Sequence, residues 1–157
     1  MAHVTISGHT AVPVEHWWAV ATDLRRLPEW HTAVVEVKEA VGGAEAGASA
    51  TLVLRYPDGT HEYRVDVVEV EPLRLLRQSG REVRPGDGHY VSISRSAPAA
   101  DGGTDWEWEQ EAEPPKGALG AMSDRILVRP AMEQMMRQSM ERLVALAERE
   151  AKTPVRA

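Results

Sequence analysis

The fold turns on Gly103-Thr104-Asp105-Trp106-Glu107-Trp108-Glu109-Gln110-Glu111-Ala112 and on the change of pattern directly after it. Trp106, Trp108 and Gln110 alternate with Asp105, Glu107, Glu109 and Glu111, the period-two pattern of a strand with one face inward and one in water. Pro114-Pro115 end the strand, and from Gly117 to Glu150 the period lengthens. Met132, Met136, Met140, Leu143 and Ala147 recur at helical spacing, while Arg137, Glu141, Arg142 and Glu148 take the other faces. This predicts a long amphipathic helix, interrupted at Pro130, that packs its thioether stripe on another layer.

Upstream, the same alternation divides 33–112 into six extended runs: 33–41, 48–56, 60–70, 73–80, 88–96 and 103–112. Gly42-Gly43, Pro57-Asp58-Gly59, Pro72, Pro85-Gly86-Asp87-Gly88 and Asp101-Gly102-Gly103 separate them, which predicts an antiparallel meander. Residues 3–11 add a strand with Val4 and Ile6 on one face and Thr5 and Ser7 on the other. Pro13 opens a short helix carrying Val14, Trp17, Trp18 and Ala21. Asp23 caps a second through Arg25–Leu27, which Pro28 interrupts before Trp30. The order of strand, two short helices, six strands and long helix predicts an α+β fold. A curved antiparallel sheet of about seven strands wraps around the long C-terminal helix, with a cavity between the layers.

With 157 residues the chain holds one core, expected over 1–150, and a tail at 151–157 that contains Pro154 and frays. Having no Cys, it forms no disulfides, thiolate metal sites or thiol nucleophiles. Its start lacks a basic and apolar leader pattern, and no apolar run reaches 18 residues, so a cytoplasmic protein without membrane insertion is expected. A net charge of −6 without a Lys/Arg cluster argues against nucleic acid as a partner. The His residues lack metal-ligand spacing, and no phosphate loop or nucleophile elbow is present, so neither metal nor cofactor is expected. Aromatic usage is skewed to five Trp and no Phe, and five of the six Met lie between Met122 and Met140.

Four stretches resemble the START-type helix-grip (SRPBCC) superfamily, and within it the polyketide cyclase/dehydrase branch. These are Ala11-Val12-Pro13-Val14-Glu15-His16-Trp17-Trp18 at the entry to helix one, Asp23-Leu24-Arg25-Arg26-Leu27-Pro28-Glu29-Trp30, Val70-Glu71-Pro72-Leu73-Arg74-Leu75, and Gly103 to Gln110 on the last strand. Leu119, Arg125, Pro130 and Leu143 extend the resemblance into the closing helix, so it covers about residues 3–150. It implies a helix-grip fold and a cofactor-independent cyclase or dehydratase acting on a hydrophobic, polyketide-like molecule, as a monomer or homodimer. The same superfamily also holds non-catalytic carriers and sensors of lipids and small apolar ligands, which is the alternative reading. Cyclases of this branch place an inward Arg on the strand corresponding to 60–70, where this chain has Val67 and Val68.

The strand phases put Tyr56, His61, Tyr63, His89, Arg95, Trp106, Trp108 and Gln110 on the concave face. Buried polar groups need partners, and in a cavity a ligand supplies them. His61 and His89 are candidate acid/base groups, or else histidines at strand ends near solvent. Tyr63 is a candidate for polarising a ketone oxygen, and Gln110 between two indoles is expected at the pocket. Trp30, Tyr56, Arg95, Trp106, Trp108, Met122, Ile126, Met136 and Met140 are the expected ligand contacts, with Trp30 near an entrance. Thioethers facing indoles make an adaptable apolar wall.

Overall fold

The computed structural model describes residues 1–84, 86–114 and 125–152. Chain order is β1 (Ala2–Thr10), α1 (Val14–Ala21), a single 3-10 turn (Leu24–Arg26), α2 (Leu27–Trp30), then β2 (Val34–Val41) and β3 (Ser49–Tyr56). Next in the chain are β4 (Gly59–Glu71), β5 (Leu75–Arg84), β6 (His89–Pro98), β7 (Thr104–Glu113) and α3 (Arg125–Ala151). The strands form one seven-stranded antiparallel sheet in the order β1-β7-β6-β5-β4-β3-β2. Six consecutive strands are a meander, and β1 returns to close beside β7 with Ile6 opposite Trp108.

Register shifts on β2 between Val34 and Glu36 and on β4 between Val67 and Glu69 insert extra residues, which bend a strand and increase its twist. The sheet therefore curves, and α3 lies across its concave side against β1, α1 and α2. This is the α+β helix-grip architecture. The apolar stripe reaches its target: Met132, Met136, Met140, Leu143, Leu146 and Ala147 are all buried in one core with Val4, Ile6, Leu52, Val65 and Val67. Among the described residues no helix is long and apolar enough to cross a membrane.

Two proline expectations are corrected. Pro28 does not interrupt a helix but stands in the first turn of α2, where its missing N–H has no acceptor to lose. Pro130 does not stop α3, which is continuous on either side of it. Gly117 through Asp124, the Ile126 side chain and residues 153–157 lie outside the described residues, so the expected helix start, Met122, Ile126 and the fraying tail do too.

Long-range polar contacts join the layers. The Asp23 carboxylate accepts from the Arg25 backbone N–H at 3.0 Å, as its capping position predicts. Arg26 donates to Glu29 at 2.7 Å and grips Glu150 near the end of α3 through two contacts, one of 2.9 Å. The Thr32 backbone N–H donates to Ser139 Oγ at 3.0 Å, and Ser139 is fully buried on α3. The chain around α2 is therefore held to the long helix on both sides of Trp30 and His31.

Candidate functional site

Between sheet and helices lies a cavity of about 260 Å³, near the lower end of the roughly 300–1,000 Å³ typical of small-molecule pockets. It exists because β6 turns Ser92, Ser94 and Ser96 inward, opposite Gln110, Trp108 and Trp106 of β7. A Leu or Phe at any of these serines would fill the space that three hydroxymethyl groups leave open. All five indoles, Trp17, Trp18, Trp30, Trp106 and Trp108, line it, with Met132, Met135 and Met140 of α3 on the facing side. Exposed Arg55 and Pro57, at the β3–β4 turn, mark where it reaches the surface.

The aromatic wall is ordered by stacking. Trp17 and Trp106 lie nearly parallel at 6.3 Å, and Trp30 meets Trp108 edge-on at 6.3 Å. Trp108 Nε1–H donates to Ser92 Oγ at 2.8 Å, which fixes that ring, and the Gln110 amide N–H donates only to the weak acceptor Met132 Sδ, at 3.5 Å. Gln110 is thus weakly engaged by the protein, since a thioether is a poor acceptor.

Three further protic side chains border the space. His31 sits edge-on to Trp108 at 5.6 Å, and burial pushes its imidazole down to about 4, so the ring is neutral at physiological pH. Burial pushes the Tyr90 hydroxyl up, and Tyr56 likewise, so both keep their protons. The wall therefore offers neutral hydrogen-bonding groups.

Of the expected site residues, Trp30, Tyr56, Trp106, Trp108, Gln110 and Met140 line the cavity. Trp30 is only 6% exposed, so it forms a wall and not an entrance. Met136 is fully buried in the core behind that wall, and its place at the cavity is taken by Met132 and Met135. His61 and Tyr63 point inward as their alternation predicts but do not line the cavity. His61 is enclosed by carboxylates, with Nδ1 2.7 Å from Glu82 and Nε2 2.8 Å from Asp58. Tyr63 Oη is 3.0 Å from Tyr56 Oη, behind that ring.

β6 requires a correction. His89 and Arg95 were expected on the concave face, but His89 is exposed, and the Arg95 guanidinium, although the residue borders the cavity, binds Glu107 and Glu109 at 2.6 and 2.9 Å. Those glutamates alternate with the inward indoles, so Arg95 is spent on the outer face. The phase of β6 is one residue off the expected one, which flips every side chain. Tyr90, His31 and the three serines are among the polar lining residues that sequence reasoning missed. Inward polar residues on a strand whose apolar Val91 and Ile93 face outward were the available signal.

One glycine matters to this wall. Gly8 pairs with Trp106, and a Cβ there would stand 2.3 Å from the indole Cζ2, so the ring lies directly on the bare backbone. Gly8→Ala is expected to force Trp106 off its stack with Trp17, at a cost of roughly 1–3 kcal/mol. Urea denaturation and near-ultraviolet circular dichroism check this; an unchanged midpoint and spectrum would count against the packing.

Solved structures with the same arrangement are numerous. A Chromobacterium violaceum protein superposes with a TM-score of 0.70 at 18% identity, covering 93% of this chain and 96% of its own. A protein in the dynemicin biosynthetic locus gives 0.64 at 18% identity, over 94% of this chain and 48% of that one. Ara h 8.0201 gives 0.67 at 11% identity, over 92% and 96%. At such identities these likenesses establish the fold alone. No curated protein matches the chain. The family model described as "Polyketide cyclase / dehydrase and lipid transport" matches residues 1–148, and the chain, with its helix-grip sheet and indole-walled cavity, belongs to that family.

Proposed function

We propose that this protein binds a hydrophobic, polyketide-like small molecule in the cavity and promotes its cyclisation or dehydration without a cofactor. The observation that carries the reading is the cavity itself: about 260 Å³, walled by five indoles and three thioethers, with neutral protic groups at intervals. A flat, oxygenated ring system matches both halves of that lining. Confinement supplies the main effect, because holding a flexible chain with one carbon against one carbonyl removes most of the entropy of ring closure. Gln110 and Tyr56 are the hydrogen-bonding members of the expected set that border the cavity, with Trp30, Trp106, Trp108 and Met140 as its apolar contacts. His61 and Tyr63 act through Tyr56, whose ring His61 meets edge-on at 4.9 Å.

A carrier or sensor is the second reading, and one observation favours it: His61 and His89, the two expected proton-transfer groups, do not line the cavity. Native mass spectrometry of protein purified without denaturation separates the two. The expected result is a retained neutral molecule that, on incubation at neutral pH, is released changed by the loss of one water or by isomerisation. Release of the same molecule unchanged would support the carrier. A protein that neither retains nor saturably binds any apolar molecule would overturn both.

A further inference from the structure

We propose that His31 holds a carbonyl oxygen of the bound molecule through its Nε2–H, and so selects ligands with a ketone-type acceptor at the Trp108 end of the cavity. This role rests on the cavity taking an apolar ligand, and it adds the residue and the ligand group that set orientation.

His31 comes directly after α2, and its ring packs against both Trp30 at 5.8 Å and Trp108 at 5.6 Å. Its Nδ1 accepts the Ala33 backbone N–H at 3.2 Å. A neutral imidazole carries one proton, and a nitrogen that accepts has none, so the proton is on Nε2. Desolvation keeps the ring neutral, so it carries a single proton. No hydrogen-bond partner for Nε2 exists among the described residues, and the atom is not one of the sealed unpartnered polar atoms, which are in His16, Trp30 and Trp106. His31 lines the cavity, so an Nε2–H that no other side chain engages is available to what the cavity holds.

The donor is also fixed in place. The Thr32 backbone N–H is anchored on buried Ser139, so the residue after His31 is tied to α3, and the two indoles hold the ring plane. A fixed donor whose other nitrogen is occupied cannot reverse its role. An oxygen that accepts is favoured there, and a group that only donates meets another donor. The flanking indoles put a flat apolar body next to that oxygen, which describes an aryl ketone.

The test uses 1-tetralone and tetralin, bicyclic probes that differ in one carbonyl oxygen, titrated against tryptophan fluorescence. Wild-type protein is expected to bind the ketone about 3- to 10-fold more tightly, the range of one neutral hydrogen bond. His31→Leu is expected to bind tetralin as the wild type does and to lose the preference. His31→Gln, whose amide N–H reaches the place of Nε2, is expected to restore part of it. In the unaltered protein, nitrogen-15 spectra of the imidazole are expected to show the Nε2–H tautomer from about pH 5 to about pH 8. A ketone preference that survives in His31→Leu, or a proton found on Nδ1, would overturn the assignment while leaving the cavity reading intact. If neither probe binds the wild type, the cavity reading fails and the role of His31 fails with it.

Discussion

His61→Leu is expected to destabilise the protein by roughly 3–5 kcal/mol near pH 6, the cost of leaving one partner of a buried ion pair alone. The Glu82 side chain is wholly buried. Its Oε2 meets His61 Nδ1 at 2.7 Å, while Oε1 accepts the backbone N–H groups of Asp87 and Gly88 at 2.9 and 3.2 Å. His61 thus bolts the β3–β4 turn, through Asp58, to the segment leading into β6. A leucine fills the volume but strands the carboxylate. Since whole domains are stable by only about 5–15 kcal/mol, the urea midpoint should fall by a large fraction.

The pH dependence has its origin in the same contacts. Burial alone pulls the His61 imidazole down, but the carboxylates of Asp58 and Glu82 outweigh it and hold the ring above its ordinary value. A group raised on folding contributes stability that is fully present below its unfolded value of about 6.5 and is lost as pH rises through the folded value. The gap between wild type and His61→Leu should therefore narrow as pH is raised from 6 into the alkaline range. A loss under about 1 kcal/mol, or a gap independent of pH, would show that the cluster is not a charged bolt.

The second large effect is on binding. Ser94 faces Trp108 across the β6–β7 ladder and borders the cavity. Ser94→Phe puts a ring into space that is otherwise open, so binding of 1-tetralone should fall by at least about 100-fold, or about 2.7 kcal/mol. Thermal stability should change little, because filling a void offsets the strain of the added ring. Ser94 is chosen over Ser92 because Ser92 Oγ accepts the Trp108 indole N–H, and its loss would orphan that donor as well. Unchanged affinity in a folded Ser94→Phe would place the ligand elsewhere on the molecule.

Most of the secondary structure was legible because it depends on local alternation and on turn residues. The runs read at 48–56, 60–70 and 103–112 match β3, β4 and β7 within a residue or two at each end. β5 instead spans Leu75–Arg84, since Leu73 takes a left-handed φ of 66° in the preceding turn and delays the pairing. The α3 stripe was equally plain, although the period identifies a face and not which thioether on it meets a void. Met132 and Met140 border the cavity, whereas Met136 between them is covered.

The site was less legible, for a reason that β6 makes concrete. Alternation assigns the apolar residues inward, and on β6 this favours the phase of Val91, Ile93 and Arg95. A cavity reverses the rule: its wall needs small side chains, so Ser92, Ser94 and Ser96 face in, as their pairing with Gln110, Trp108 and Trp106 dictates. His61 shows the complementary limit. Its inward phase was read correctly, but facing inward is not facing the cavity. Glu82, which occupies it, arrives from another strand 21 residues on.

By itself the sequence determined the α+β order of elements, the antiparallel meander, the amphipathic closing helix and the gathering of five indoles and the thioethers into one protein. Each of these is a short-range pattern of side-chain polarity along the chain. Only the tertiary structure decided which polar groups meet the cavity. That choice depends on strand phase and on partners distant in sequence, so it set His61 between Asp58 and Glu82, turned His89 to solvent and brought His31 against Trp108.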